Sequence, residues 1–139
     1  MVDCMPLILK LHIFSTIFMT GLIWCIQIVH YPLFSLVEEK SFKNYQSSHQ
    51  RRISIVVLPI MLLELGTGIL LMLQSQTFDW YITMGLLALI WLSTFLLQVP
   101  CHQKLSHGYS ATVLKRLVIS NWIRTLLWTA RAFIFVSVM

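Results

Sequence analysis

Charge is scarce in this chain of 139 residues: Asp, Glu, Lys and Arg make up 11% of it, with five acidic residues against ten basic ones. With 58% hydrophobic residues and a mean hydropathy of +0.79, it lies outside the range of soluble domains and reads as an integral membrane protein. Cysteine is equally sparse. Cys4, Cys25 and Cys101 are odd in number and lack CxxC spacing, which excludes a disulfide framework. Cys101 beside His102 suggests a metal pair, but adjacent residues leave a helix in different directions. No Gly-, Ser- or Pro-rich linker interrupts the chain, so a single domain is expected over residues 1–139.

What is present is apolar sequence in runs of about 20 residues, the length that crosses roughly 30 Å of hydrocarbon. Four such spans follow, at approximately 6–29, 53–73, 80–99 and 117–138. Backbone groups in a bilayer must be satisfied internally, so the fold class is all-α, a transmembrane antiparallel four-helix bundle. Gly21, Gly66, Gly68 and Gly85 offer places for close helix approach, and Pro59 a kink in the second span. A secretory signal competes for the first span, since an apolar run follows Lys10. The run through Val29 is too long for one, and the residues after it, His30, Tyr31 and Pro32, form no cleavage site.

The net charge of +5 is a topology signal and does not call for nucleic acid. Lys40, Lys43, Arg51 and Arg52 fall between the first two spans, and Lys104, Lys115 and Arg116 between the last two. The turn QSQTFD (74–79) and the end SVM (137–139) have neither Lys nor Arg. The positive-inside rule therefore expects a cell-membrane protein with both termini outside and two basic loops in the cytoplasm, where they can also meet lipid headgroups. Two stretches echo each other: Gln27-Ile-Val-His30-Tyr-Pro32 closes the first span and Gln98-Val-Pro100-Cys-His102 closes the third.

Polar residues inside a bilayer are costly and face protein or water, so they mark the inner face of each helix. In the fourth span Leu117, Asn121, Arg124, Trp128 and Arg131 fall on one stripe at helical period. Thr16, Thr20, Trp24, Gln27 and His30 or Tyr31 make a stripe on the first span. The second contributes Val57, Ile60 or Met61, Glu64 and Gly68, and the third Met84, Trp91, Thr94 and Gln98. At about 1.5 Å of rise per residue, Glu64 lies in depth between Arg124 and Arg131. It is the one carboxylate within the spans, so an ion pair to Arg124 or Arg131 is expected. Two arginines against one glutamate leave a positive charge that an anionic headgroup, a carboxylate, a phenolate or a reaction oxyanion would balance.

His30, His49 and His102 sit near the basic rim on three separate segments. They are the ligands to expect if a metal is bound, but none belongs to an HxxxH or ExxH motif. A di-iron bundle would need more inward glutamates, and bis-histidine haem finds only His12 within a span. No cofactor is required by the sequence. His107, next to Gly108, is expected at the surface.

The stretch VPCHQKL, followed by LVISNWIRTLLWTAR, resembles the C-terminal pattern of the small four-helix membrane proteins that include the fungal anthrone oxygenases and their bacterial relatives. The matching positions are Pro100, His102, Leu105, Asn121 and Arg124. QIVHYPLF, then Phe42, Tyr45, His49, Pro59 and Glu64, resemble the bacterial members. Where this chain has His102, the fungal enzymes usually have asparagine. The resemblance implies a membrane-embedded oxygenase, possible without a cofactor, that acts on a planar aromatic. Glu64, His102, Asn121 and Arg124 are then the catalytic candidates. Trp24, Gln27, His30, Tyr31, His49, Trp91, Gln98, Trp128 and Arg131 are the candidates for holding a hydrophobic, aromatic or quinone-like small molecule. Two other readings compete: a non-catalytic lipid- or small-molecule-binding protein or assembly subunit, and a small proton-coupled transporter working as a homo-oligomer. An arginine beside Glu64 disfavours the transporter, because it makes the carboxylate a poor proton carrier.

Overall fold

The computed structural model describes residues 5–75 and 77–138. Cys4, Gln76 and Met139 lie outside the described residues. Four long helices form the fold: α1 Met5–Cys25, α2 Glu39–Ser75, α3 Phe78–Ser93 and α4 Ala111–Val138. Helical turns extend α1 through Leu36 and α3 through Leu105. α1 packs against α2 and α4, and α3 packs against the same two. The arrangement is an antiparallel four-helix bundle in which α1 and α3, and likewise α2 and α4, stand diagonally opposite.

Three helical stretches are long and apolar enough to cross a membrane: Met5–Leu36, Glu39–Gln74 and Asp79–Leu105. α4 has the length, 28 residues, but Asn121, Arg124 and Arg131 dilute its apolarity. All three are buried within the bundle, so the outer surface of α4 is as apolar as that of its neighbours, with Ile119, Ile123, Leu126 and Phe133 exposed.

The segment before the second span is not the loop that its charges suggest. α2 begins at Glu39 and runs 37 residues, roughly 55 Å at the α-helical rise, well beyond the hydrocarbon thickness. Its first four turns are amphipathic. Phe42 and Gln46 are fully buried, with Tyr45 and His49 half-buried on the same side, while Lys40, Lys43, Arg51 and Arg52 are exposed. The helix also passes through Pro59 without ending.

The two echoing stretches share a backbone feature. Ile26–His30 and Thr94–Gln98 are π-helical turns, each just ahead of a proline. Tyr31 N–H reaches back five residues to Ile26 O, and Val99 N–H to Thr94 O. Pro32 and Pro100 have no N–H to continue the α pattern, and the widened turn accommodates one extra residue. That residue shifts the helix phase. Gln27 and Gln98 consequently turn into the bundle and are buried, whereas Trp24, one turn before the first shift, faces outward.

Of the glycines proposed for close approach, only Gly68 is used in that way. A Cβ there would lie 2.7 Å from Met84 Sδ and 2.9 Å from His12 Cε1, while Gly21, Gly66 and Gly85 have nothing within 4 Å. Met84 can move aside, but the His12 ring is tied by hydrogen bonds described below. Gly68→Ala is therefore expected to destabilise the protein by about 1–3 kcal/mol. Gly66→Ala should be neutral or stabilising by up to about 1 kcal/mol. Thermal unfolding in detergent distinguishes the two; equal effects would show that Gly68 is not a packing position.

Candidate functional site

The stripe on α4 organises the interior. Leu117, Asn121, Arg124, Trp128 and Arg131 are all buried, and each polar member meets a different set of partners. Asn121 Nδ2 donates to Gln27 Oε1 (2.9 Å), and Gln27 Nε2 donates to the backbone oxygen of Val118 (3.1 Å). On the other side Gln98 Nε2 donates to Ser120 Oγ (3.3 Å), while Gln98 Oε1 accepts from Ser93 Oγ (3.2 Å). The two glutamines of the π turns thus grip α4 from both flanks.

About three turns further along α4 lies the ion pair, and it is Arg131 that makes it. Arg131 Nη1 donates to Glu64 Oε1, with both side chains fully buried. Thr16 Oγ1 donates to the same oxygen (2.7 Å) and Trp128 Nε1 to Oε2 (3.0 Å). His12 extends the network: Arg131 Nη2 lies 3.3 Å from His12 Nε2, and His12 Nδ1 lies 2.9 Å from Thr67 Oγ1. A guanidinium only donates, so His12 Nε2 accepts. Thr67 spends its proton on Leu63 O (2.7 Å), so the His12 Nδ1–H donates to the Thr67 oxygen. His12 is therefore a neutral imidazole of defined tautomer, with neither nitrogen free for haem or metal.

Arg124, about 10 Å from Arg131 along the helix, has no carboxylate. Glu64–Arg131 is the single salt bridge among the described residues. The Arg124 guanidinium lies 5.2 Å from the centre of the Trp128 ring, a cation–π contact, and reaches the Tyr31 side chain. Among the described residues its buried Nε has no acceptor, and neither has the buried Nε1 of Trp91. Both residues line one cavity of about 240 Å³ between α2, α3 and α4. Tyr31, His49, Gln98 and His102 also line it, with Ile53, Val57 and Met61 supplying apolar wall.

Behind the cavity, Gln46 Nε2 is 2.9 Å from His102 Nδ1, and His102 Nε2 is 3.1 Å from Tyr31 Oη. With Gln46 donating, His102 carries its proton on Nε2 and donates to Tyr31. The Tyr31 oxygen then receives His102 and faces Arg124, leaving its own proton for the cavity. His30 Nε2 and His49 Nδ1 are 2.9 Å apart, and the His49 and His102 rings are 6.0 Å apart. The three rim histidines do converge, but as hydrogen-bonding rings. Among the described residues no group of three His, Cys, Asp or Glu is placed to hold a metal ion, so the set His30, His49 and His102 does not fit one.

The candidate residues thus separate. Arg124, His102, Tyr31, His49, Trp91 and Gln98 surround the cavity; Gln27 and Asn121 form the clamp beside it. Glu64 and Arg131 belong to the ion-pair network, joined to the cavity residue Arg124 through Trp128. Trp24 stands apart, donating to Thr129 Oγ1 (3.0 Å) and packing edge-on against Trp122; His30 lies on the rim. His107 is exposed. Gln46 and His12 were missed by the sequence reading. For Gln46 the signal was the 42, 46, 49, 53 spacing on α2. For His12 it was the i, i+4 relation to Thr16 on the inner stripe.

Breaking the ion pair from either side leaves a bare buried charge. Glu64→Gln and Arg131→Met are each expected to cost about 3–5 kcal/mol. The double substitution should cost less than their sum by about 2 kcal/mol. Unfolding in detergent measures the cycle; additive effects would mean that the two residues do not act as a pair. No family model, curated protein or solved structure matches the chain in the comparisons made with each.

Proposed function

We propose that this is a membrane protein that binds a small, planar, hydrophobic molecule bearing an acidic or polarised oxygen, and that it oxidises it in an oxygenase-like reaction with dioxygen. The observation that carries the reading is that Arg124 and Trp91, each with a buried donor, Nε and Nε1, left unpaired among the described residues, both line one apolar-walled cavity. A buried donor without an acceptor costs about 1–3 kcal/mol, which a ligand oxygen accepting from both would relieve. The cavity exceeds the 150 Å³ that suffices for benzene and fits a fused-ring compound.

The way in favours a molecule dissolved in the bilayer. Leu58 on α2 and Phe95 after α3 line the cavity, yet they are 49% and 58% exposed on the outer surface of the bundle. Positive-inside orientation sets this opening in the cytoplasmic half of the membrane. An aromatic ring entering between these residues arrives with its oxygen toward Arg124.

The chemistry starts with a proton. An enolate or phenolate forming at Arg124 gains a charge-assisted hydrogen bond. Tyr31, held by His102, keeps its own proton and donates to that oxygen as a second donor, while the proton lost by the molecule passes to water. For an aromatic methylene, the electrons of the resulting carbanion reduce dioxygen, and CH2 plus O2 become C=O plus H2O. Glu64 holds the scaffold in this reading and removes no proton, since three donors occupy it.

With 1-naphthol as the probe in nanodiscs, Arg124→Gln should weaken binding by about 30-fold and Trp91→Phe by about five-fold. Trp24→Phe should leave it unchanged. With anthrone, dioxygen uptake above the uncatalysed rate should vanish in Arg124→Gln and Tyr31→Phe. Arg124-dependent binding without such uptake would leave a binding protein in place of an oxygenase; 1-naphthol binding indifferent to Arg124 would remove the site itself.

A further inference from the structure

The histidine pair at the basic end touches two spaces at once. His49 lines the cavity and also an open surface groove, whose other walls include His30, Tyr45 and Arg52. His30 lines the groove but not the cavity. Between them lies a direct ring-to-ring hydrogen bond, His30 Nε2 to His49 Nδ1 at 2.9 Å. Among the described residues the other nitrogen of His49 has no hydrogen-bond partner. Both rings are half-buried and are fixed by aromatic neighbours, Phe34 edge-on to each and Tyr45 stacked on His49.

We infer that His49 and His30 form a proton relay between the cavity and the basic-end groove, a role separate from ligand binding. In an imidazole–imidazole hydrogen bond one nitrogen donates and the other accepts, and each ring can take a proton on one nitrogen while releasing it from the other. A proton leaving the cavity, through water or the acidic group of a bound molecule, adds to His49 Nε2. His49 then gives its Nδ1 proton to His30 Nε2, and His30 releases its Nδ1 proton into the groove. One proton enters, one leaves, and no electrons move. The rings finish with exchanged tautomers and reset when their hydrogen bond opens and each ring exchanges its proton with water. The charged and titratable groups around the path are Tyr31, His102 and Arg124 on the cavity side and Tyr45 and Arg52 on the groove side. His102 cannot take the place of His49 in this chain, because Gln46 and Tyr31 occupy its two nitrogens.

The inference rests on the cavity being the working site, but its test needs no ligand. In nanodiscs, with histidine and arginine labelled with ¹⁵N, the readout is solvent exchange of the Arg124 Nε–H by NMR. Arg131 Nε is also buried and unpaired but lies off the cavity, so it serves as the internal control. His30→Gln and His49→Gln are each expected to slow Arg124 exchange by about 100-fold and leave Arg131 unchanged. Unchanged exchange at Arg124, or faster exchange in His49→Gln, overturns the relay, as does an equal shift at Arg131. A second measurement on the unsubstituted protein covers variants that fail to fold. His30 Nε2 and His49 Nδ1 should show ¹⁵N shifts averaged between protonated and bare nitrogen. A static proton on one of them contradicts the relay. Loss of 1-naphthol binding without loss of exchange would sink the ligand reading alone.

Discussion

One fully buried carboxylate holds this molecule together. Glu64 lies on α2 and accepts from α1 through Thr16 and from α4 through Trp128 and Arg131. In a low-dielectric interior an ion deprived of one partner is left with its desolvation penalty uncompensated. α2 and α4 are diagonal in the bundle, so the pair ties helices whose backbones are not neighbours. The histidine layer beyond it, Arg131 to His12 to Thr67, closes the circuit back onto α2. Close contact of His12 with Gly68 then sets how near α1 and α2 can come. Specificity of register and rotation about each helix axis follows from these few polar contacts, since the surrounding leucines and isoleucines would accept many rotations.

Trp128 connects that scaffold to the cavity. Its N–H is spent on Glu64 while its ring lies under the Arg124 guanidinium. Arg124 is thus held on an aromatic face instead of against a carboxylate, which keeps its charge available. Tyr31 approaches from α1's extension, and Gln46 and His102 support it from behind. Few of the buried polar atoms of the described residues are left over, and two of the residues that hold a leftover donor, Arg124 and Trp91, line the same cavity.

Much of this was legible in the residues. The α4 stripe from Leu117 to Arg131 is a regular α-helix with one buried face, so simple periodicity found it. The Glu64 partner was narrowed to two arginines by depth, and only side-chain geometry could choose Arg131. Trp24 shows where periodicity fails. A π turn at Ile26–His30 breaks the phase between it and Gln27, and hydropathy carries no mark of that beyond the nearby proline. The stretch from Glu39 to Arg52 was hidden differently: its charges look like a loop, although Phe42, Gln46 and His49 share one helical face. The convergence of His30, His49 and His102 was out of reach, because it depends on that extra length of α2 bringing His49 back over the ends of α1 and α3.

The paired π turns have a consequence for how the molecule divides. Each ends the first helix of a hairpin, α1 with α2 and α3 with α4, and each offers an inward glutamine at the same level. The hairpins are alike in backbone plan and opposite in buried charge, for the first brings the carboxylate and the second the guanidinium groups. Neither could rest alone in hydrocarbon without an exposed ion, and two copies of the same hairpin would repel where these attract. The chain behaves as a heterodimer written into a single polypeptide, in which the second cation is the remainder after the halves have neutralised each other.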